Sequence, residues 1–84
     1  MPWINAPLNN NSTGMLAPDS NSDPNWRARN TNPLVHGACE YQSDNSTKWH
    51  SVPLGTNGAW HEGHCDLQVT VRQTAGTVVV EYFD

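Results

Sequence analysis

Positive charge is scarce in this chain. Only four of its 84 residues are Lys or Arg, against eight Asp or Glu, for a net charge of −4. A surface for nucleic acid or anionic membrane needs clustered cations. The one basic pair, Arg27 and Arg29, reads as locally paired or solvated, so no nucleic-acid partner is expected. Long apolar runs are also missing, and nothing approaches the ~20 residues of a membrane-spanning helix, so no membrane insertion is expected. No stretch shows helical periodicity. The first residues, MPWINAPLNNNS, lack the basic start and apolar centre of a signal peptide. Two readings follow: synthesis without a signal, or Met1 standing where a signal was removed.

What is present is polar and uncharged, with Asn, Ser, Thr and Gly abundant. Such a composition departs from the charge-driven signature of disorder. Eighty-four residues suffice for one small domain with a thin stability margin. The strongest structural signal is Asp66 to Phe83. Leu67, Val69 and Val71 alternate with Gln68, Thr70 and Arg72, the period-2 pattern of a half-buried strand. Beyond Gln73-Thr74-Ala75-Gly76 comes a β-branched and aromatic run, Thr77 to Phe83. Two such runs joined by a short Gly-containing link predict a β-hairpin.

Turn chemistry predicts further hairpins upstream. Ala38–Gln42 and Thr47–Val52 flank Ser43-Asp44-Asn45-Ser46. Leu54–Thr56 and Ala59–His61 flank Asn57-Gly58, a dipeptide suited to the positive φ of a type I′ turn. The expected fold is therefore all-β: a small antiparallel sandwich or open barrel of four to six short strands.

Residues 1–33 differ. They hold five of the six prolines and eight asparagines, which favour turns over regular elements. Trp3, Ile4, Leu8, Met15, Leu16 and Trp26 are spaced through this segment like separate anchors. The expected organisation is an extended, irregular Asn/Pro-rich arm over 1–33 and a compact β domain over 34–84. In the last strand Val80 and Tyr82 would face the core with Leu67, Val69 and Val71, leaving Val79 and Phe83 on the other face in need of cover. Either the arm or another subunit must supply that cover, and a second subunit is the reading carried forward.

Two cysteines, Cys39 and Cys65, suggest a disulfide, which would contribute about 3 kcal/mol in the chain-entropy model and would suit an oxidising, extracellular or particle-surface setting. The alternatives are reduced buried thiols or a zinc site built from His36, Cys39, His61 and Cys65. The zinc pattern is weak, because its spacing matches no established finger and His64 and Cys65 are adjacent. Catalysis would have to recruit His61, Glu62, His64 and Asp66, and no nucleophile elbow, phosphate loop or His-Glu-x-x-His helix accompanies them. Neither an enzyme nor a cofactor is expected. Three N-x-Ser/Thr triplets, at Asn10, Asn11 and Asn45, are what an Asn-rich chain shows by chance.

Four tryptophans are many for this length, and tryptophan is enriched where proteins meet partners. The favoured function is a non-catalytic structural or interaction protein of a multi-subunit assembly, as a homo-oligomer or in a capsid-like lattice. It would dock through the arm, anchored by the apolar residues just named together with Val79 and Phe83. A phage capsid decoration or cement protein is the concrete instance, located on a virion or outside the cell. The alternative is a secreted carbohydrate-binding, lectin-like module using Trp49 and Trp60. If the arm covers the last strand, removing residues 1–33 lowers the thermal midpoint; an unchanged midpoint would show that it does not.

Overall fold

The computed structural model describes residues 2–84. The described residues form seven strands and no helix: β1 (Trp3–Ala6), β2 (Trp26–Asn30), β3 (Gly37–Ser43), β4 (His50–Leu54), β5 (His61–Gly63), β6 (Val69–Ala75) and β7 (Val78–Phe83). They make two antiparallel sheets, one ordered β1-β7-β2-β5 and the other β4-β3-β6. The all-β expectation holds. The long irregular N-terminal arm is not what the structure shows, because residues 1–33 supply β1 and β2, and β2 lies between β7 and β5.

Alternation explains where the core sits. In β2, Trp26, Ala28 and Asn30 are buried while Arg27 and Arg29 are half-buried on the opposite face. Val78 and Val80 of β7 and Ala6 of β1 join that buried face, and Val69, Val71, Cys39, Val52 and Leu54 answer from the three-stranded sheet. The Trp26 ring stands 5.0 Å from that of Tyr41 on β3, spanning the two sheets. Gly63 of β5 packs directly on Trp26, so that a Cβ there would enter the indole ring.

Two hairpins expected from turn chemistry do not form. β6 and β7 are consecutive but belong to different sheets, and so do β4 and β5. Gly76 (φ +72°) and Gly58 (φ +74°) do take the left-handed conformation their turn signals imply. The chain uses those turns to cross from one sheet to the other. At the first crossing the Val78 N–H is taken by the Gln73 side chain (2.8 Å). The third expected hairpin is real, with β3 pairing β4 from Gly37↔Leu54 to Tyr41↔His50. Leu67 lies outside β6 and is 56% exposed, so it does not join the core as its place in the alternation suggested.

Buried asparagines hold the crossings together. Asn30, at the end of β2, accepts the N–H groups of Asn32 (3.0 Å) and Thr77 (3.1 Å) at Oδ1. Its Nδ2 faces the carbonyls of Asn32, Val35 and Gly55 at 2.8–3.1 Å. One side chain thus ties the β2–β3 loop, the exit from β4 and the β6–β7 turn. Gly76 is needed there twice over, because a Cβ would stand 2.7 Å from Asn30 Oδ1. At the other end of β2, Asn25 donates to the Cys65 carbonyl (2.7 Å) and accepts the Cys65 N–H (2.9 Å).

Sheet edges are closed in several ways. The outer side of β6 is covered by residues 11–16: Gln73 N–H donates to Asn11 O (2.6 Å), Thr13 N–H to Val71 O (2.8 Å), and Leu16 and Val69 exchange two bonds (2.9 Å each). Val71 N–H is taken by the Thr13 hydroxyl (3.0 Å). β1 is only four residues long, with Pro2 and Pro7 beside it, and edge strand β4 contains Pro53. Short strands and proline discourage edge-to-edge pairing.

Asn30→Ala removes at once the hydrogen bonds that one buried amide makes to Asn32, Val35, Gly55 and Thr77, each contributing about 0.5–1.5 kcal/mol. The thermal midpoint of this variant is expected to fall by roughly 10 °C or more, since 1 kcal/mol moves a domain of this size by about 4–8 °C. Substituting Asn32, which lies in the connecting loop, is expected to do less. Equal midpoints for the two variants in a thermal melt would remove Asn30 from this role.

Candidate interaction face

The outward side of the four-stranded sheet carries an ordered stack. Trp3 (β1), Phe83 and Glu81 (β7) and Arg27 (β2) share this face by register, as Trp3↔Phe83 and Arg27↔Glu81 show. The Arg27 guanidinium lies 4.2 Å from the Trp3 ring centroid and 4.3 Å from that of Trp60, which immediately precedes β5. Its Nε and Nη2 both donate to Glu81 Oε1, at 2.8 and 2.6 Å. One side chain of β2 therefore touches residues of β1 and β7 and the residue that leads into β5. Arg29 stacks on Trp60 at 4.8 Å, and Trp3 meets Phe83 edge-on at 5.5 Å.

The physical roles are separable. Stacking a guanidinium on an indole is worth about 0.5–1 kcal/mol where exposed and more where desolvated. The carboxylate fixes the plane of the guanidinium and neutralises it locally. Arg27 is thereby immobilised between two rings that remain half-exposed.

The three-stranded sheet has its own smaller version. Arg72 of β6 lies 3.8 Å over the Trp49 ring and donates through Nε (2.8 Å) and Nη2 (2.6 Å) to Glu40 of β3. Trp49 and Trp60, paired as a glycan platform in the alternative reading, thus rest on different sheets. Comparison with family models, curated proteins and solved structures finds no match.

The anchors named from sequence separate into two sets. Trp3, Val79 and Phe83 are half-buried on the outer face of the four-stranded sheet. Trp26, 1% exposed, belongs to the core, and Leu8 and Leu16 pack against it. Ile4 shares the inward register of Tyr82 and Trp26. Met15 is 73% exposed and stands apart from both sets. Arg27, read from sequence with Arg29 as locally paired or solvated, is paired with Glu81. The spacing of the two arginines around Ala28, with acidic and aromatic partners on other strands, becomes visible only when the strands are aligned.

Cys39 and Cys65 are free thiols, both buried in the shared core, so the expected disulfide is not formed. Asn25 instead secures the Cys65 segment with its paired hydrogen bonds, and both cysteines pack as small apolar groups. Burial pushes each thiol up from 9.0 to about 11, helped by Glu40 at Cys39 and by Asp44 at Cys65. The zinc alternative is not assembled either. Among the described residues no group of three or more His, Cys, Asp or Glu side chains converges, so His36, Cys39, His61 and Cys65 do not form a site. His61 instead lies 5.8 Å from the Trp26 ring, His50 lies 5.1 Å from Tyr41, and His64 sits 3.5 Å from Asp66.

The thiols give a testable signature. In the unfolded chain they ionise near 9, while the folded chain keeps them protonated to about 11. Between these values the unfolded state binds fewer protons, so stability falls as pH rises. The expected result is a thermal midpoint that declines from pH 9 to 11, less steeply in Cys39→Ala. A thiol reagent should find two reactive groups on unfolding and none in the native protein at pH 7. A protein with no titratable thiol after unfolding would contradict the free-thiol state.

Proposed function

We propose that this protein is a non-catalytic interaction module of a multi-subunit assembly, and that the outer face of the four-stranded sheet is its contact surface. The observation that carries this reading is the Trp3–Arg27–Trp60 stack clamped by Glu81. Tryptophan and arginine dominate the energetics of protein interfaces. A side chain already held in place loses less freedom when a partner arrives. Val79 and Phe83 extend the same face with apolar area.

A particle surface, such as a capsid lattice with this chain as a decoration protein, is the setting we favour. A small sandwich-like domain with blunted edges suits repeated side-by-side placement without strand-to-strand aggregation. The contact surface lies on the sheet rather than on a free arm, since most of the N-terminal anchors are engaged with the chain's own sheets.

A second reading, a glycan-binding module, draws on the half-exposed rings of Trp3 and Trp60, since an indole with a free face can stack on a sugar ring. These two rings, rather than Trp49 with Trp60, would then form the platform.

Hydroxyl-radical footprinting of the native assembly, compared with the isolated chain, separates the outcomes. Protection is expected at Trp3, Trp60 and Phe83, with Trp49 unchanged. Protection confined to Trp49 would refute the assignment of the face. A sugar that shifts tryptophan emission in the wild type but not in Trp60→Ala would favour the glycan reading instead.

A further inference from the structure

The N-terminal segment is attached in an unusual way. Among the described residues, the backbone hydrogen bonds from residues 2–18 to the rest of the chain all end on β6 or β7. β1 pairs only with β7, and residues 11–16 lie along β6. Both positions are outermost. Lifting the segment away would leave β7-β2-β5 and β4-β3-β6 with every remaining strand pair intact. It would also bare two edges joined by a single turn, at Gly76.

The segment is joined to β2 by a tight loop. Asp19 N–H donates to Phe83 O, and Phe83 N–H donates to Asn25 O, both at 2.9 Å. Residues 20–24 therefore leave Phe83 and return to it. Within the loop, Ser22 N–H bonds Asp19 O (3.1 Å), and the Asn25 side chain bonds the same carbonyl (3.2 Å). This reversal turns residues 2–18 back towards their own sheets.

We propose that residues 2–18 are an exchangeable element, and that the β6 and β7 edges can receive the same segment from a second copy of this chain. The complementarity is shown within one chain: the Leu16↔Val69 pair, the Thr13 hydroxyl on Val71 N–H, and Trp3 against Phe83. An exchanged pair makes the same contacts, so the choice of state rests on the loop and on concentration. A short flexible link holds its segment at an effective concentration in the millimolar range. The closed monomer therefore prevails in dilute solution, and exchange competes when chains are crowded side by side. Domain swapping of this kind is a low-cost route to association. It requires no other partner, and because the segment carries Trp3, an exchanged copy supplies that ring of the outer-face stack to its neighbour.

Removing Ser20–Ser22 from the full chain tests this, because Asp19 can then no longer turn back to meet Asn25. The expected product is a folded dimer with twice the mass of the shortened chain by light scattering. A folded monomer with the wild-type midpoint would overturn the proposal. In a second experiment Asn5→Cys and Glu81→Cys chains, whose positions are register partners, are unfolded together, refolded at about 1 mM under reducing conditions so that Cys39 and Cys65 return to the core, and only then oxidised. A covalent mixed dimer linked through residues 5 and 81 is expected, at a yield lost on dilution to micromolar. If the shortened chain fails to fold, this second result decides: absence of the 5–81 linkage at every concentration overturns the proposal.

Discussion

The fold depends on how β2 is held at its two ends. Asn30 gathers backbone groups from three connections at one end, and Asn25 pairs with the backbone of Cys65 at the other. Both side chains are buried, and a buried amide is tolerable only when its hydrogen bonds are made. Each loop must therefore arrive together with its partners, which couples the two sheets through β2 as much as through the apolar core. For a chain with few large aliphatic residues this is an economical arrangement. Two polar groups specify where the crossings fall, and the valines fill what lies between.

The outer face follows from the same strand. Once Trp26, Ala28 and Asn30 point inward, Arg27 and Arg29 must point outward, beside Glu81 on β7 and Trp60 next to β5. The stack is thus a consequence of the register that places the asparagines. It also fastens β1, a short edge strand, through Trp3. The surface proposed for binding and the support of the sheet edge are one set of side chains. Arg72, Glu40 and Trp49 repeat the pattern on the other sheet, so arginine serves here mainly as a planar group between rings and carboxylates.

Part of this was legible beforehand. Alternation in Val69–Val71 and in Val78–Val80, and the turn residues at Gly58 and Gly76, are correct in the structure. The β2 pattern, Trp-Arg-Ala-Arg-Asn, alternates just as clearly. It was obscured because Ala is a weak strand former and the surrounding Pro and Asn favour turns. The anchors of residues 1–33 were recognised, but not that half of them belong to the chain's own core. Cys39 and Cys65 illustrate another limit: loop-closure entropy favours a bond between two cysteines in a small domain, whereas the structure keeps both as buried thiols.

The sequence by itself determined the class of structure: all-β, short strands with alternating faces, and glycine, asparagine or aspartate where φ is positive. These are local properties, set by side-chain alternation and backbone sterics. Only the tertiary structure decided which sheet each strand joins, and so turned two expected hairpins into crossings between sheets. It also decided which of the ten asparagines are buried and which aromatic rings meet an arginine. The physical reason is that a period of two states that one face of a strand is buried, without naming the neighbour that buries it. Neighbours are chosen by long-range hydrogen bonds such as those of Asn30 and Asn25, and the residues that make them look, in sequence, like any other turn-forming asparagine.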